Sequence, residues 1–161
     1  MSVKRRIGPI LSLGASLALT LAVGAVGGLA TASSVGTWYA ALAKPAFNPP
    51  NWVFGPVWTS LYILMAIAAW RVYRASAGRA RRAALRLYAA QLALNLGWSL
   101  LFFGLRQPPL ALAELAVLIA AVLGTTVLFW RVDRPAGLLL IPYLLWISFA
   151  FLLNWEIVRL N

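Results

Sequence analysis

From the amino end onwards, the chain alternates between long apolar runs and short polar breaks. The apolar runs occupy residues 7–32, 52–73, 85–105, 110–130 and 136–160. A helix needs roughly 20 apolar residues to cross a hydrocarbon core about 30 Å thick, and every run meets that length. The period-two alternation of a barrel strand is missing throughout. Unpaired backbone groups are costly in lipid, so each run is expected to be helical. The predicted fold class is an all-α membrane protein: a five-transmembrane-helix bundle forming one domain over residues 1–161.

The polar breaks support this division. Ser33, Ser34 and Gly36 end the first run. The segment 44–50 carries Pro45, Pro49 and Pro50 and cannot be helical. Arg74 to Arg82, with Gly78, reads as a basic loop. Gln107, Pro108 and Pro109 make a tight turn, and Asp133, Arg134 and Pro135 start the last helix.

Composition narrows the picture. Of 161 residues, 63% are hydrophobic and 11% charged. A soluble domain of this size has too much surface to hide that apolar fraction. With no Cys and no His, thiol nucleophiles, zinc fingers, Ser-His-Asp triads and the usual haem ligands are excluded. The three acidic residues are Glu114, Asp133 and Glu156, too few and too scattered for paired-carboxylate catalysis.

The net charge of +11 would suggest nucleic acid in a soluble protein. Here the basic residues sit between apolar runs, so they are expected to anchor loops at an anionic membrane face, with no nucleic-acid partner. Of the 14 Lys and Arg residues, only Lys44, Arg106 and Arg159 fall at one end of a five-span bundle. The rest, including Lys4, Arg5, Arg6, Arg74, Arg79, Arg81 and Arg82, fall at the other. This asymmetry predicts a cytoplasmic amino terminus. Lys4-Arg5-Arg6, an apolar run and Ala30-Thr31-Ala32 also resemble a secretory signal. The run is long for one, and Gly24-x-x-x-Gly28 reads as helix packing, so the first helix is expected to be retained.

Candidate chemistry lies in the aromatic and amide residues. Eight tryptophans are present. Trp38, Trp70 and Trp130 fall at or near helix ends and suit an interfacial belt. Trp58, Trp98 and Trp146 lie deeper. Trp58, Tyr62 and Met65 share one face of the second span. Gln91, Asn95, Trp98 and Phe102 share a face of the third, and Trp146, Ala150, Leu153, Asn154 and Ile157 a face of the fifth. Amides are unwelcome in lipid, so these faces are expected to point at a shared interior cavity. Indoles around a cavity suit a flat conjugated ring. Without His or Cys, a tetrapyrrole would be held by stacking and shape, and a metal-free porphyrin fits at least as well as haem.

Small residues mark close helix approach. Ala89, Ala93 and Gly97 form a stripe on the third span and Ala116, Ala120 and Gly124 one on the fourth. The third-span stripe is the expected dimer face. Glu114 is either a functional intramembrane acid or an interfacial partner of Arg106.

Specific motifs then carry a resemblance. Trp38-Tyr39-Ala40-Ala41-Leu42-Ala43-Lys44-Pro45 is followed by Asn48-Pro49-Pro50-Asn51-Trp52-Val53-Phe54-Gly55-Pro56-Val57-Trp58-Thr59. Further along stand Gln91-Leu92-Ala93-Leu94-Asn95 with Trp98, Phe102-Phe103-Gly104, and Pro142-Tyr143-Leu144-Leu145-Trp146 with Asn154. From about Trp38 onwards the chain resembles the translocator protein (TspO/MBR) family, whose bacterial members are called tryptophan-rich sensory proteins. The resemblance implies a five-helix bundle, often a homodimer, with protoporphyrin IX or haem as ligand and no obligatory cofactor or metal. It implies ligand contacts at Trp52, Phe54, Trp58, Trp98, Trp146, Ala150 and Leu153, beside Tyr62, Asn95 and Asn154 from the spacing above. The loop with Lys44, Pro45, Asn48, Pro49 and Pro50 would act as a lid. Light-dependent porphyrin breakdown in similar bacterial proteins is tied to the tryptophans matching Trp58 and Trp146. Leu110 stands where animal members have Trp, and Trp155 where their sterol motif has Tyr.

The expected function is a tetrapyrrole-binding membrane sensor or regulator. The alternatives are a porphyrin transporter, for which no internal repeat is visible, and Trp-dependent photochemical breakdown. A helical bundle points to the bacterial inner membrane, while some relatives are assigned to the outer one.

Overall fold

The computed structural model describes residues 4–75 and 77–161. The side chains of residues 4–7 lie outside the described set, and with them the anchoring role expected of Lys4, Arg5 and Arg6. The elements are α1 (Lys4–Val35), α2 (Trp38–Ala41), α3 (Asn51–Ala75), α4 (Arg79–Ser99, continued by a wide π turn at Leu100–Gly104), α5 (Pro108–Val132) and α6 (Arg134–Leu160). Among the described residues, five helices are long and apolar enough to cross a membrane. Among the described residues there is no strand. The chain is an integral membrane helical bundle, as the lengths of the apolar runs predict.

Going round the bundle, the order is α1, α3, α6, α5, α4 and back to α1. Each helix presents an apolar outer surface, such as Leu19 and Leu29 on α1 and Leu145 and Leu152 on α6, which suits contact with acyl chains. The larger of two buried clusters lies towards the end that carries the basic loops. There Met65, Ala68 and Val72 of α3 meet Leu92 of α4, Leu118 and Val122 of α5, and Leu140 of α6.

Several boundaries differ from those expected. α1 runs through Ser33 and Ser34 to Val35. The hydroxyls that suggested a break are satisfied within the bundle: Ser33 Oγ donates to Ala30 O and Ser34 Oγ to Phe103 O, both within 2.8 Å. α4 starts at Arg79 rather than near 85, because Arg and Ala are strong helix formers whatever their hydropathy. The connection before it shrinks to three residues ending in Gly78, whose φ of 85° suits glycine. α5 and α6 are joined by Asp133 alone, which caps α6 by accepting from Ala136 N at 3.1 Å. Gly137 is needed at this corner, since a Cβ there would stand 2.8 Å from Trp130 Cα.

Asp133 also ties α6 to α3. Arg71 donates to both its carboxylate oxygens, at 2.7 and 3.2 Å. The Arg71 guanidinium and the Ala136 amide hold the Asp133 carboxyl below the usual carboxylate range.

Candidate functional site

At the end away from the basic loops, α1 and α3 separate and a cavity of about 530 Å³ opens between α1, α3, α4 and α6. α5 contributes no lining residue; it backs α4 and α6 from outside. Trp58, Trp98 and Trp146 all line this one space. The helical spacing of each on its own span therefore brought three distant indoles together.

The indoles are held by one another and by amides. Trp58 and Trp146 meet edge to face, with centroids 6.5 Å apart and ring planes at 90°. Tyr62 packs on Trp58 at 5.7 Å, and Phe54 on Trp146 at 6.0 Å. Trp98 stacks on Phe102 at 5.3 Å and donates its ring N–H to Asn154 Oδ1 at 3.3 Å. Asn154 in turn donates to Pro108 O at 2.9 Å, a carbonyl in the first turn of α5. The Trp146 N–H is buried with no hydrogen-bond partner among the described residues, a donor not used by the protein.

A second polar group lies just behind the wall. Tyr62 donates its hydroxyl to Asn95 Oδ1, and Asn95 Nδ2 donates to Tyr143 at 2.9 Å. Asn95 thus joins α3, α4 and α6 while staying out of the cavity itself. Gln91 is buried one turn further on, with Nε2 3.9 Å from Met65 Sδ.

The π turn shapes the α4 side. Its widened pitch puts the consecutive Phe102 and Phe103 both inward, where each is buried. It also leaves the Phe103 carbonyl for the Ser34 hydroxyl of α1. Leu105 N bonds back to Leu100 O at 2.7 Å, and Arg106 closes the turn at φ 56°.

Of the residues expected in the site, Phe54, Trp58, Tyr62, Trp98, Trp146, Ala150, Leu153 and Asn154 line the cavity. Asn95 stands behind it. Trp52 does not line it: in the first turn of α3 the ring points away, 75% exposed. Lys44, Pro45, Asn48, Pro49 and Pro50 do not line it either, but the loop rests on side chains that do. Asn48 Oδ1 accepts from the Tyr39 hydroxyl at 2.8 Å, Lys44 Nζ lies 5.0 Å above the Tyr39 ring, and Phe47 packs on Phe149 at 6.2 Å. Burial pushes the Tyr39 phenol up to about 12, against the opposing pull of Asn48, so it stays a neutral donor. Asn161 pins the loop's start through paired bonds of 3.0 Å to Ala43 N and O.

Sequence reasoning missed the whole α1 wall, from Leu21 through Gly27 and Thr31 to Val35, as well as Tyr39, Phe103 and Phe149. The α1 run carries no aromatic or amide to mark a face. Two of the three tryptophans assigned to a belt are also packed inward. Trp38 meets Phe102 at 5.6 Å, and Trp70 donates to Pro9 O and Ser12 Oγ on α1. Of the proposed Gly24/Gly28 pair only Gly24 packs, against the Tyr62 ring. Ala89 and Ala93 are exposed on α4, whereas Gly97 faces Glu114 of α5. Both Glu114 oxygens are buried without a hydrogen-bond partner among the described residues, and no ion pair forms with Arg106.

A five-span membrane bundle whose interior holds an indole-walled cavity defines the class of protein: an integral membrane protein built around an apolar ligand-sized pocket. The sequence comparisons make the family explicit. Residues 16–160 match the TspO/MBR family, and the chain belongs to it. It is 42% identical over 159 residues to the tryptophan-rich protein TspO of Chlorobaculum tepidum, covering 94% of this chain and 97% of that protein. The tryptophan-rich protein TspO of Archaeoglobus fulgidus is 45% identical over 152 residues, 94% of this chain and 98% of its own length. The human translocator protein is 43% identical over 126 residues, 77% of this chain and 75% of its own.

Proposed function

We propose that this protein binds a tetrapyrrole, a porphyrin such as protoporphyrin IX or haem, and acts as a sensor or regulator of tetrapyrrole metabolism or stress. The observation that carries the proposal is the convergence of Trp58, Trp98 and Trp146 on one cavity. Its volume falls within the roughly 300–1,000 Å³ typical of sites for organic ligands. The indole faces offer stacking to a flat conjugated ring. Binding and release of such a ring need no acid–base group, in keeping with a lining that, among the described residues, carries no Asp, Glu, Lys or Arg. A bacterial inner membrane is the proposed location, and a homodimer through the exposed Ala89 and Ala93 of the α4 stripe the proposed assembly.

Quenching of tryptophan fluorescence by protoporphyrin IX in nanodiscs tests the proposal. Saturable quenching is expected in the wild type, weakened about tenfold or more in Trp58→Ala by loss of ring contact. Superimposable curves for the two proteins would remove the cavity as the binding site. Two competing functions have their own readouts. Flux of labelled porphyrin into proteoliposomes would mark a transporter. Faster porphyrin bleaching under illumination in wild type than in Trp146→Phe would mark photochemical breakdown.

A further inference from the structure

One edge of the cavity faces the bilayer. Ala25, Gly28 and Ala32 of α1 line the cavity and are also exposed. At spacings of three and four they share one edge of their helix. Asn51, Gly55 and Thr59 do the same on α3. Gly24 against Tyr62, Ser16 bonded to Ala66 O, and Trp70 bonded to Pro9 O fix the antiparallel pairing of the two helices. Extending that pairing past Gly24 sets the two exposed rows opposite each other.

The rows do not touch as a packed seam would. A Cβ built at Gly28 or at Gly55 meets nothing within 4 Å. The reason lies in where α1 goes beyond Gly24. It leans on α4 instead of α3: a Cβ at Gly27 would come within 3.1 Å of Ser99 Oγ, and Ser34 bonds the Phe103 carbonyl freed by the π turn. The axial end of the cavity is by contrast covered. Tyr39 is held there by Asn48, Phe149 by Phe47, and the loop start by Asn161.

We propose that the gap between α1 and α3 is a lateral portal, by which a ligand dissolved in the bilayer enters the cavity edge-on. The proposal rests on the cavity being the ligand site, and it narrows the ligand class to flat molecules that partition into lipid. The lips are small and uncharged. The Thr59 hydroxyl is spent on Gly55 O at 2.9 Å, so the Thr59 hydroxyl offers no free donor to the gap. From Asn51 to Thr59 the α3 lip runs about 12 Å along the helix axis, ample for the edge of a fused ring system. Asn51 sits at its outer end, near headgroup depth, where polar substituents of such a ligand would trail.

The chain contains no cysteine, so Ala150→Cys places a single thiol in the cavity wall. Labelling of full-length protein in phospholipid nanodiscs is followed with two reagents: a pyrenyl maleimide, flat and lipid-partitioning, and a permanently charged, water-borne thiosulfonate. Gly28→Phe and Gly55→Phe, whose side chains enter open space, are each expected to slow pyrenyl labelling about tenfold. Gly14→Phe, on α1 outside the cavity and equally open, should leave the rate unchanged. Circular dichroism and size-exclusion profiles establish that each variant is folded. Unchanged pyrenyl labelling in either folded portal variant overturns the portal, as does faster labelling of Ala150→Cys by the charged reagent than by the pyrenyl one, once each rate is normalised to that reagent's rate with a free thiol. No porphyrin takes part in the readout, so failure of the portal and failure of porphyrin binding are separable results.

Discussion

Tyr62 and Asn95, 33 residues apart on facing spans, share a hydrogen bond directly behind the indole wall. Asn95 passes the contact on to Tyr143, so a single amide fixes α3, α4 and α6 relative to one another. In lipid no water replaces a lost partner, and an orphaned buried hydroxyl costs about 1–3 kcal/mol. Asn95→Leu should therefore lower the melting temperature in detergent and loosen Trp58, which packs on Tyr62. The measurement is a thermal melt beside a porphyrin titration. Both should worsen; an unchanged melt would mean that the amide does not join the spans.

Gly24 makes room for the same tyrosine. A Cβ at this position would lie 2.5 Å from Tyr62 Cε2 and 2.6 Å from Cδ2. The ring cannot withdraw, because Asn95 holds its hydroxyl and Trp58 its face. Gly24→Ala should cost roughly 1–3 kcal/mol of stability, the usual range for overpacking. Gly28→Ala, with open space around it, should cost far less. Equal losses in the two variants would contradict the close packing of Gly24 on Tyr62.

Asp133 predicts the acid limit of stability. Its folded carboxyl titrates below the usual carboxylate range because the Arg71 guanidinium and the Ala136 amide favour the charged form. Such a group adds stability above its unfolded value, and that stability is lost as pH falls through the lower folded value. The melting temperature should thus be flat near neutrality and fall below about pH 4. In Asp133→Asn it should start lower at pH 7 and lose much of that acid-side slope. A wild-type slope retained in full by the variant would rule out this ion pair as the source.

Glu114 predicts the opposite sign. Its carboxyl is buried against α4 beside Gly97, with no hydrogen-bond partner among the described residues to offset the loss of water. Glu114→Leu should raise the melting temperature, by an amount equivalent to about 1–3 kcal/mol. A clear drop would mean that the acid makes a stabilising contact in the folded bundle.

How much was legible follows from where the signal sits. Apolar runs gave the five spans because lipid admits little else, and Trp58, Tyr62 and Met65 fell on the inner face through the 3.6-residue period alone. Asn95 and Asn154 were readable as inward because an amide facing acyl chains is unfavourable. The α1 wall was not readable: Gly27, Thr31 and Val35 are neither aromatic nor strongly polar, and only the lean of α1 onto α4 makes them line a cavity. That lean depends on a π turn whose freed carbonyl meets Ser34, a contact across 69 residues that no local pattern encodes. Trp52 misled for a related reason. Its neighbours Phe54 and Trp58 belong to the wall, but its place in the first turn of α3 turns the ring outward.

The central claim is that one cavity between α1, α3, α4 and α6 receives the tetrapyrrole, and its most direct test is a structure of the protein crystallised with protoporphyrin IX. Density for the macrocycle should lie among Trp58, Trp98 and Trp146, within stacking or edge distance of at least two of these rings. A macrocycle bound on the outer, lipid-facing surface, with those three rings untouched, would contradict it.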